Sequence, residues 1–227
     1  MRVMIRFTKD PVIRYVSHLD LMRSARRHFR RADLPVAYSE GYHPHPILSF
    51  AMALPVGASS DGEYMDLGLA VDMPCSRIME QMNAVCPLGM KITGVWTMDE
   101  EAPSQMAMVT AARWRLTFNG DAAEILARRV PEILNAQSVT VEKNNGKKIS
   151  IVDIRPGIHT LSLEEDGMTV NALLDAGSKN NIQPQNLADA LLGEPSLGKV
   201  LIHRLEVLGD RDGNLVPLEK CRGVRDE

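Results

Sequence analysis

The sequence predicts an α+β protein made of two ferredoxin-like (βαββαβ) halves, with antiparallel sheets and helices on one face. Three observations carry that prediction. The chain has 227 residues, enough for one large domain or two small ones of about 100 residues each. Hydrophobic residues make up 44%, charged residues 24% and aromatics 4%, the balance of a globular protein whose core is filled by Leu, Met, Val and Ile. The apolar periodicity alternates between the two-residue repeat of strands and the helical repeat of about 3.6, in the order strand, helix, strand, strand, helix, strand. A similar order recurs after an Asp-Glu-Glu-Ala-Pro stretch of linker composition at 99–103.

Each element has its own local reason. Val3, Ile5 and Phe7 alternate with Arg2, Met4 and Arg6, which predicts a half-buried strand ending at Asp10-Pro11. Ser17-His18-Leu19-Asp20 is a capping-box-like pattern and predicts a helix to about Ala32, before Pro35. On that helix Leu21, Met22, Ala25, Phe29 and Ala32 share an arc of about 100°, while Arg23, Arg26, Arg27, Arg30 and Arg31 fill an opposed arc of about 140°. The helix should therefore pack through its apolar side and hold an arginine ridge outward. Tyr38-Ser39-Glu40-Gly41-Tyr42-His43-Pro44-His45-Pro46 is punctuated by Gly41 and two prolines and predicts a fixed loop. Residues 47–56 and 62–71 follow as strands joined through 57–61, then a helix from Pro74 to about Val85 and a strand at 90–98. The second half should hold a strand at 112–118, a helix at 121–134 capped by Asp121-x-x-Glu124, strands near 139–143 and 148–154, a pair near 160–163 and 169–174, a helix at 184–192 and a closing strand at 200–208. Two domains follow: 1–99, with the basic helix and the Gly41–Pro46 loop, and 104–227.

Net charge is -3, which taken whole argues against an anionic partner. Its distribution argues the other way: residues 1–50 carry nine Lys/Arg against four acids and are +5, leaving -8 for the remainder. Such asymmetry marks a candidate polyanion surface. No apolar run approaches the roughly 20 residues of a spanning helix, and the alternating N-terminus forms no signal-peptide core, so a cytoplasmic protein is expected, with no membrane partner. Cys75, Cys86 and Cys221 are odd in number and widely spaced, which argues against a disulfide framework or a metal knuckle. Phosphate-loop, dinucleotide-binding and nucleophile-elbow motifs are absent.

Five arginines on one face repel one another, and only Asp20 shares their arc. Acids elsewhere in the fold, a docked partner protein or the phosphates of a nucleic acid could each offset that repulsion. Arg14-Tyr15, Tyr38 and Tyr42 add cationic and aromatic faces of the kind base stacking requires, although ordinary packing would use them equally well. His43 and His45 are spaced to share one side of an extended loop, where two imidazoles could take a transition metal or handle protons, with His18 or Asp20 completing a set. Against that, His18 falls near the apolar arc and suits a packed histidine, and the loop suits a structural role with His45 touching RNA. Glu63-Tyr64 at a strand start is expected to cap or to pair with arginine, and Asp153-Ile154-Arg155-Pro156 to be a strand end carrying an ion pair. The thirteen methionines are scattered and read as core filler.

The blocks Ser17-His18-Leu19-Asp20-Leu21-Met22-Arg23, Arg26-Arg27-x-x-Arg30-Arg31-Ala32-x-Leu34-Pro35 and Tyr38 to Pro46, together with Leu54-Pro55-Val56-Gly57-x-x-Ser60-x-x-Glu63-Tyr64 and Val152 to Pro156, resemble the uncharacterised bacterial family of radical-SAM-linked proteins. Members occur as a separate chain beside a radical SAM protein or fused to its C-terminus, and the likeness runs to about Leu205. The resemblance implies a radical SAM protein as partner and supplies no reaction. A radical SAM enzyme holds its cluster with closely spaced thiolates, whereas the cysteines here are 11 and 135 residues apart. This chain is therefore expected to carry no cofactor, the iron-sulfur cluster and S-adenosylmethionine belonging to the partner only.

The combined expectation is an RNA-binding or substrate-presenting companion of a radical SAM enzyme, acting in tRNA or rRNA modification. It would be a non-catalytic accessory, with Arg14, Arg23, Arg26, Arg27, Arg30, Arg31, Tyr42, His43 and His45 on RNA; nothing in the sequence specifies DNA. One alternative is a protein-interaction module that docks the radical SAM subunit. The other is a histidine-based ribonuclease or metal-dependent hydrolase using His18, Asp20 and His45, with His43 and His45 as its metal ligands.

Overall fold

A computed structural model describes residues 1–144 and 149–225. In chain order its elements are β1 (Arg2–Lys9), α1 (His18–Arg31), β2 (Leu48–Phe50), β3 (Ser59–Gly68), α2 (Cys75–Ala84), β4 (Ile92–Met98), α3 (Gln105–Met108), β5 (Val109–Phe118), α4 (Ala123–Asn135), β6 (Thr140–Asn144), β7 (Ile149–Asp153), β8 (Ile158–Leu163), β9 (Thr169–Asp175), α5 (Pro184–Leu192), β10 (Val200–Arg211), β11 (Asn214–Pro217) and β12 (Val224–Arg225). The class is mixed α+β, and the described pairings are antiparallel. Of the strand predicted near 148–154, Lys148 lies outside the described residues.

The chain divides into two compact units, Met1–Thr110 with Glu206–Glu227, and Ala111–Leu205. Set beside a boundary drawn at 99–104, the C-terminal segment belongs with the first unit. Strand β10 contributes its later residues to the first unit and its earlier ones to the second.

In the first unit the strand order is β12-β4-β1-β3-β10, with β2 pairing β3. Val3, Ile5 and Phe7 of β1 join Phe29 of α1, Leu67 of β3 and Ile78 of α2 in one apolar cluster, so both helices pack on the same sheet face. The expectation of a half-buried first strand is corrected here, because Met4 is as buried as its neighbours. On that second face Arg2 pairs with Asp66 and donates to Ala102 O and Pro103 O, and Arg6 pairs with Glu206. The 99–103 stretch, linker-like in composition, is thus tied down, with Asp99 also bonding Gly223 O through its N–H and pairing with Arg225.

Strand β2 is shorter than the 47–56 run suggested. Pro55 and Gly57 divert the chain into a turn, with Ala58 N–H donating to Pro55 O and Gly57 at φ +92°. Helix α1 ends at Arg31, with Ala32 as its C-cap, for a local reason: Asp33 takes a left-handed conformation at φ +52°, while Leu34 N–H reaches Phe29 O and Asp33 N–H reaches Arg30 O. These are the two bonds of a Schellman stop.

In the second unit the strand order is β10-β5-β9-β8, and β6 and β7 pair with each other as a separate hairpin. Trp114, Leu116, Leu126, Val170 and Leu187 are buried at its centre, and the Arg204 guanidinium lies 4.6 Å from the Trp114 ring centre. The predicted Asp121 cap is corrected: α4 is preceded by Ala122, and no side chain caps it. Among the described residues no helix is long and apolar enough to cross a membrane.

Candidate nucleic-acid interface

Helix α1 is set by its ends and by its two faces. Ser17 is the N-cap: its Oγ accepts from Asp20 N–H at 3.2 Å and donates to Asp20 Oδ2 at 2.8 Å. Leu21, Ala25, His28 and Phe29 are buried, whereas Arg23, Arg26, Arg27, Arg30 and Arg31 are all exposed. Arg23 pairs with Asp20 at 3.0 Å, and the Ser17 and Arg23 bonds hold the Asp20 carboxyl below its ordinary value. Among the described residues no acid lies within ion-pair distance of Arg26, Arg27, Arg30 or Arg31. Arg30 and Arg31 also sit in the last turn, where the helix dipole favours cations.

Beyond that helix the 38–46 loop is held by a Tyr38–Pro46 bridge, by Ser39 N–H on His45 O at 2.9 Å, and by His45 N–H on Ser39 Oγ at 3.2 Å. Ser39 Oγ and His45 Nδ1 are 2.8 Å apart. Gly41, at φ +112°, makes the reversal that an L side chain would resist. Tyr42 stands fully exposed at the tip, next to exposed His43. His45 also lines a cavity of about 590 Å³ together with Arg2, Ser39, Ser49, Asp66 and Glu100.

The remaining candidates are dispersed. His18 packs edge-on against Phe50 with ring centres 5.3 Å apart, and Asp20 is committed to Ser17 and Arg23. No group of three His, Cys, Asp or Glu among the described residues is arranged to hold a metal, so the structure does not gather His18, Asp20, His43 and His45 into one site. Arg14 lies over the exposed Tyr15 ring at 4.7 Å. The ion pair expected between Asp153 and Arg155 is corrected: Asp153 Oδ1 accepts from Val139 N–H and Arg155 N–H, and the Arg155 guanidinium donates to Leu134 O and Ile158 O. Those backbone donors lower the Asp153 carboxyl's pKa.

Glu63 and Tyr64 lie within β3 and are buried, not at a strand start. Tyr64 Oη meets both Glu206 Oε1, at 2.8 Å, and Glu219 Oε2. A phenol has one proton to donate, so the two carboxyl groups compete for a single Tyr64 O–H. Burial raises the Glu206 carboxyl above its ordinary value, against the pull of Arg6. Sequence reasoning missed this cluster, whose members are 142 and 155 residues apart, and it missed His28. His28 was within reach: it continues the 21, 25, 29 face by one more position. Its Nε2 donates to Met82 O at 2.7 Å, and burial lowers its pKa.

Fold and face together define an α+β protein with one polycationic helix beside a pinned aromatic loop. Residues 2–184 match the family described as "Uncharacterized protein conserved in bacteria (DUF2344)", and the chain belongs to that family. No curated protein matches the chain.

Proposed function

We propose that the chain is an RNA-binding, substrate-presenting companion of a radical SAM enzyme that modifies structured RNA such as tRNA or rRNA. The observation that carries the reading is the outward face of α1, where four of five arginines lack an acidic partner among the described residues. A ridge of guanidinium groups about one helical turn apart matches the repeated phosphates of a nucleic-acid strand. The Tyr42 to Pro46 loop supplies an exposed aromatic ring and two imidazoles for the reacting region. The radical SAM partner, with its iron-sulfur cluster and S-adenosylmethionine, rests on the sequence blocks from Ser17 to Pro156 alone. Two further elements belong to the proposal. The strand orders β4-β1-β3 with β2 on β3, and β10-β5-β9-β8, support two ferredoxin-like units, the second interrupted by the β6–β7 hairpin. A cytoplasmic setting is supported by three cysteines with no disulfide among them.

Sequencing RNA cross-linked to the protein in cells tests the reading. Enrichment of tRNA or rRNA fragments, lost when the α1 arginines are reversed to Glu, is expected. If no RNA is enriched, and a radical SAM protein co-purifies through the same helix after nuclease treatment, α1 is a protein-docking face and the RNA reading is wrong.

A further inference from the structure

We propose that the concavity between the C-terminal half of α1 and the 38–46 loop seats one unpaired nucleotide of an RNA strand, its phosphate on Arg26 and Arg30 and its base against Tyr38. The proposal rests on the reading of α1 as an RNA-binding face and adds which RNA is taken: one that offers an unstacked base.

The concavity has a volume of about 260 Å³ and is lined by Arg26, Phe29, Arg30, Asp33, Tyr38 and Pro46, among others. Arg26 and Arg30 are four residues apart and so stand on one side of the helix. Neither has an acid within ion-pair distance among the described residues, although Asp33 lines the same space. One carboxylate faces two guanidinium groups there, and Arg27 and Arg31 on the same helix add to the positive field. An anion is therefore the complementary occupant.

The aromatic wall says which anion. Tyr38 is 53% exposed, yet its backbone is fixed by the Tyr38–Pro46 bridge and by the Ser39–His45 bonds that close the loop behind it. An exposed ring on a fixed backbone gains little from packing and loses little entropy when a ligand covers it. The volume lies below the range of about 300–1,000 Å³ for pockets that enclose a whole small molecule, and suits a segment of a chain that continues outside. A base held in a duplex has its faces stacked on its neighbours, so only a splayed base can use Tyr38.

Fluorescence anisotropy with the full chain, a single-stranded RNA of about 12 nucleotides and the same RNA annealed to its complement tests the proposal. Wild type is expected to prefer the single strand. Tyr38→Ala should weaken single-strand binding by about 5- to 100-fold and duplex binding by less than about twofold, with Tyr38→Trp retaining the preference. Photo-cross-linking of a 4-thiouridine-substituted strand should label the peptide containing Tyr38. Two results overturn the seat while leaving the RNA reading intact: Tyr38→Ala binding the single strand like wild type, or Tyr38→Ala and Tyr38→Trp weakening single strand and duplex alike. Failure of wild type to bind either RNA at low salt overturns the underlying reading, and the seat with it.

Discussion

Helices α1 and α4 are of similar length, 14 and 13 residues, and both carry arginines on their solvent side, but they use them differently. On α4 the charges are spent internally. Arg128 and Arg129 both face Glu132, at 3.7 and 3.0 Å, and Arg129 also donates to Ala190 O at 2.7 Å, joining α4 to α5 within the second unit. On α1 one acid serves five arginines. The five like-charged pairs at spacings of three and four residues each cost roughly 0.2–0.5 kcal/mol. The charges of α4 are balanced within the fold, whereas the charge of α1 is left open to solvent, which is what the proposed RNA-binding role requires.

The two helices should differ most in binding. Reversing Arg26, Arg27 and Arg30 together to Glu should reduce RNA affinity by at least about 100-fold at low salt, whereas Arg128→Glu on α4 should change it by less than about twofold. A filter-binding titration decides between them, and equal losses from both helices would reduce the α1 effect to bulk charge. Stability should respond in the opposite sense. Arg129→Ala removes a half-buried guanidinium from a carbonyl and a carboxylate and should cost about 1–2 kcal/mol in urea unfolding. Ser17→Ala removes the α1 cap and should cost about 1 kcal/mol. The smallest effect should be a gain: Arg27→Gln relieves repulsion and should raise stability by a few tenths of a kcal/mol while weakening RNA binding. A stability loss there would mean that Arg27 has a structural partner.

Within α1 the buried face has its own signature in pH. Burial lowers the folded-state pKa of His28 below its ordinary value of 6.5, and its Nδ1 has no hydrogen-bond partner among the described residues. The stability that depends on its neutral ring is fully present above about pH 6.5 and is lost as pH falls through the window beneath it. Glu206 acts with the other sign: its raised folded-state pKa favours the protonated form, so its contribution is lost as pH rises through that value. Urea midpoints compared at pH 7.5 and 5 should show His28→Leu to be less pH-sensitive than wild type. An unchanged difference would place the acid sensitivity elsewhere.

What was legible in the sequence was local. The strand signalled by Val3, Ile5 and Phe7, the Ser17 cap and the opposed arcs of α1 each depend on residues within a turn or two; the structure realises the cap and the arcs, and it realises the strand but not its half-burial. The order of elements followed for the same reason. Long-range consequences were hidden: the second face of β1 is covered because Arg6 and Tyr64 meet Glu206, a partner 142 or more residues away that no periodicity predicts. At the candidate site the ridge was legible because a helix converts spacing into a face. The closure of the loop by Ser39 and His45 was not, because hydrogen bonds across six residues of irregular chain leave no repeating pattern. The shortening of β2 had a visible signal in Pro55 and Gly57 that the apolar run around it masked.

The most direct test is the salt dependence of RNA binding by wild type and by the Arg26→Glu, Arg27→Glu, Arg30→Glu variant. Each phosphate contact contributes about 0.7 to the slope of log affinity against log salt for a single strand. Wild type should therefore show a slope of about -3 or steeper, and the variant a slope shallower by about 2 with little residual affinity. A wild-type slope near zero, or a variant that retains the full slope, would contradict the assignment of the α1 face to RNA.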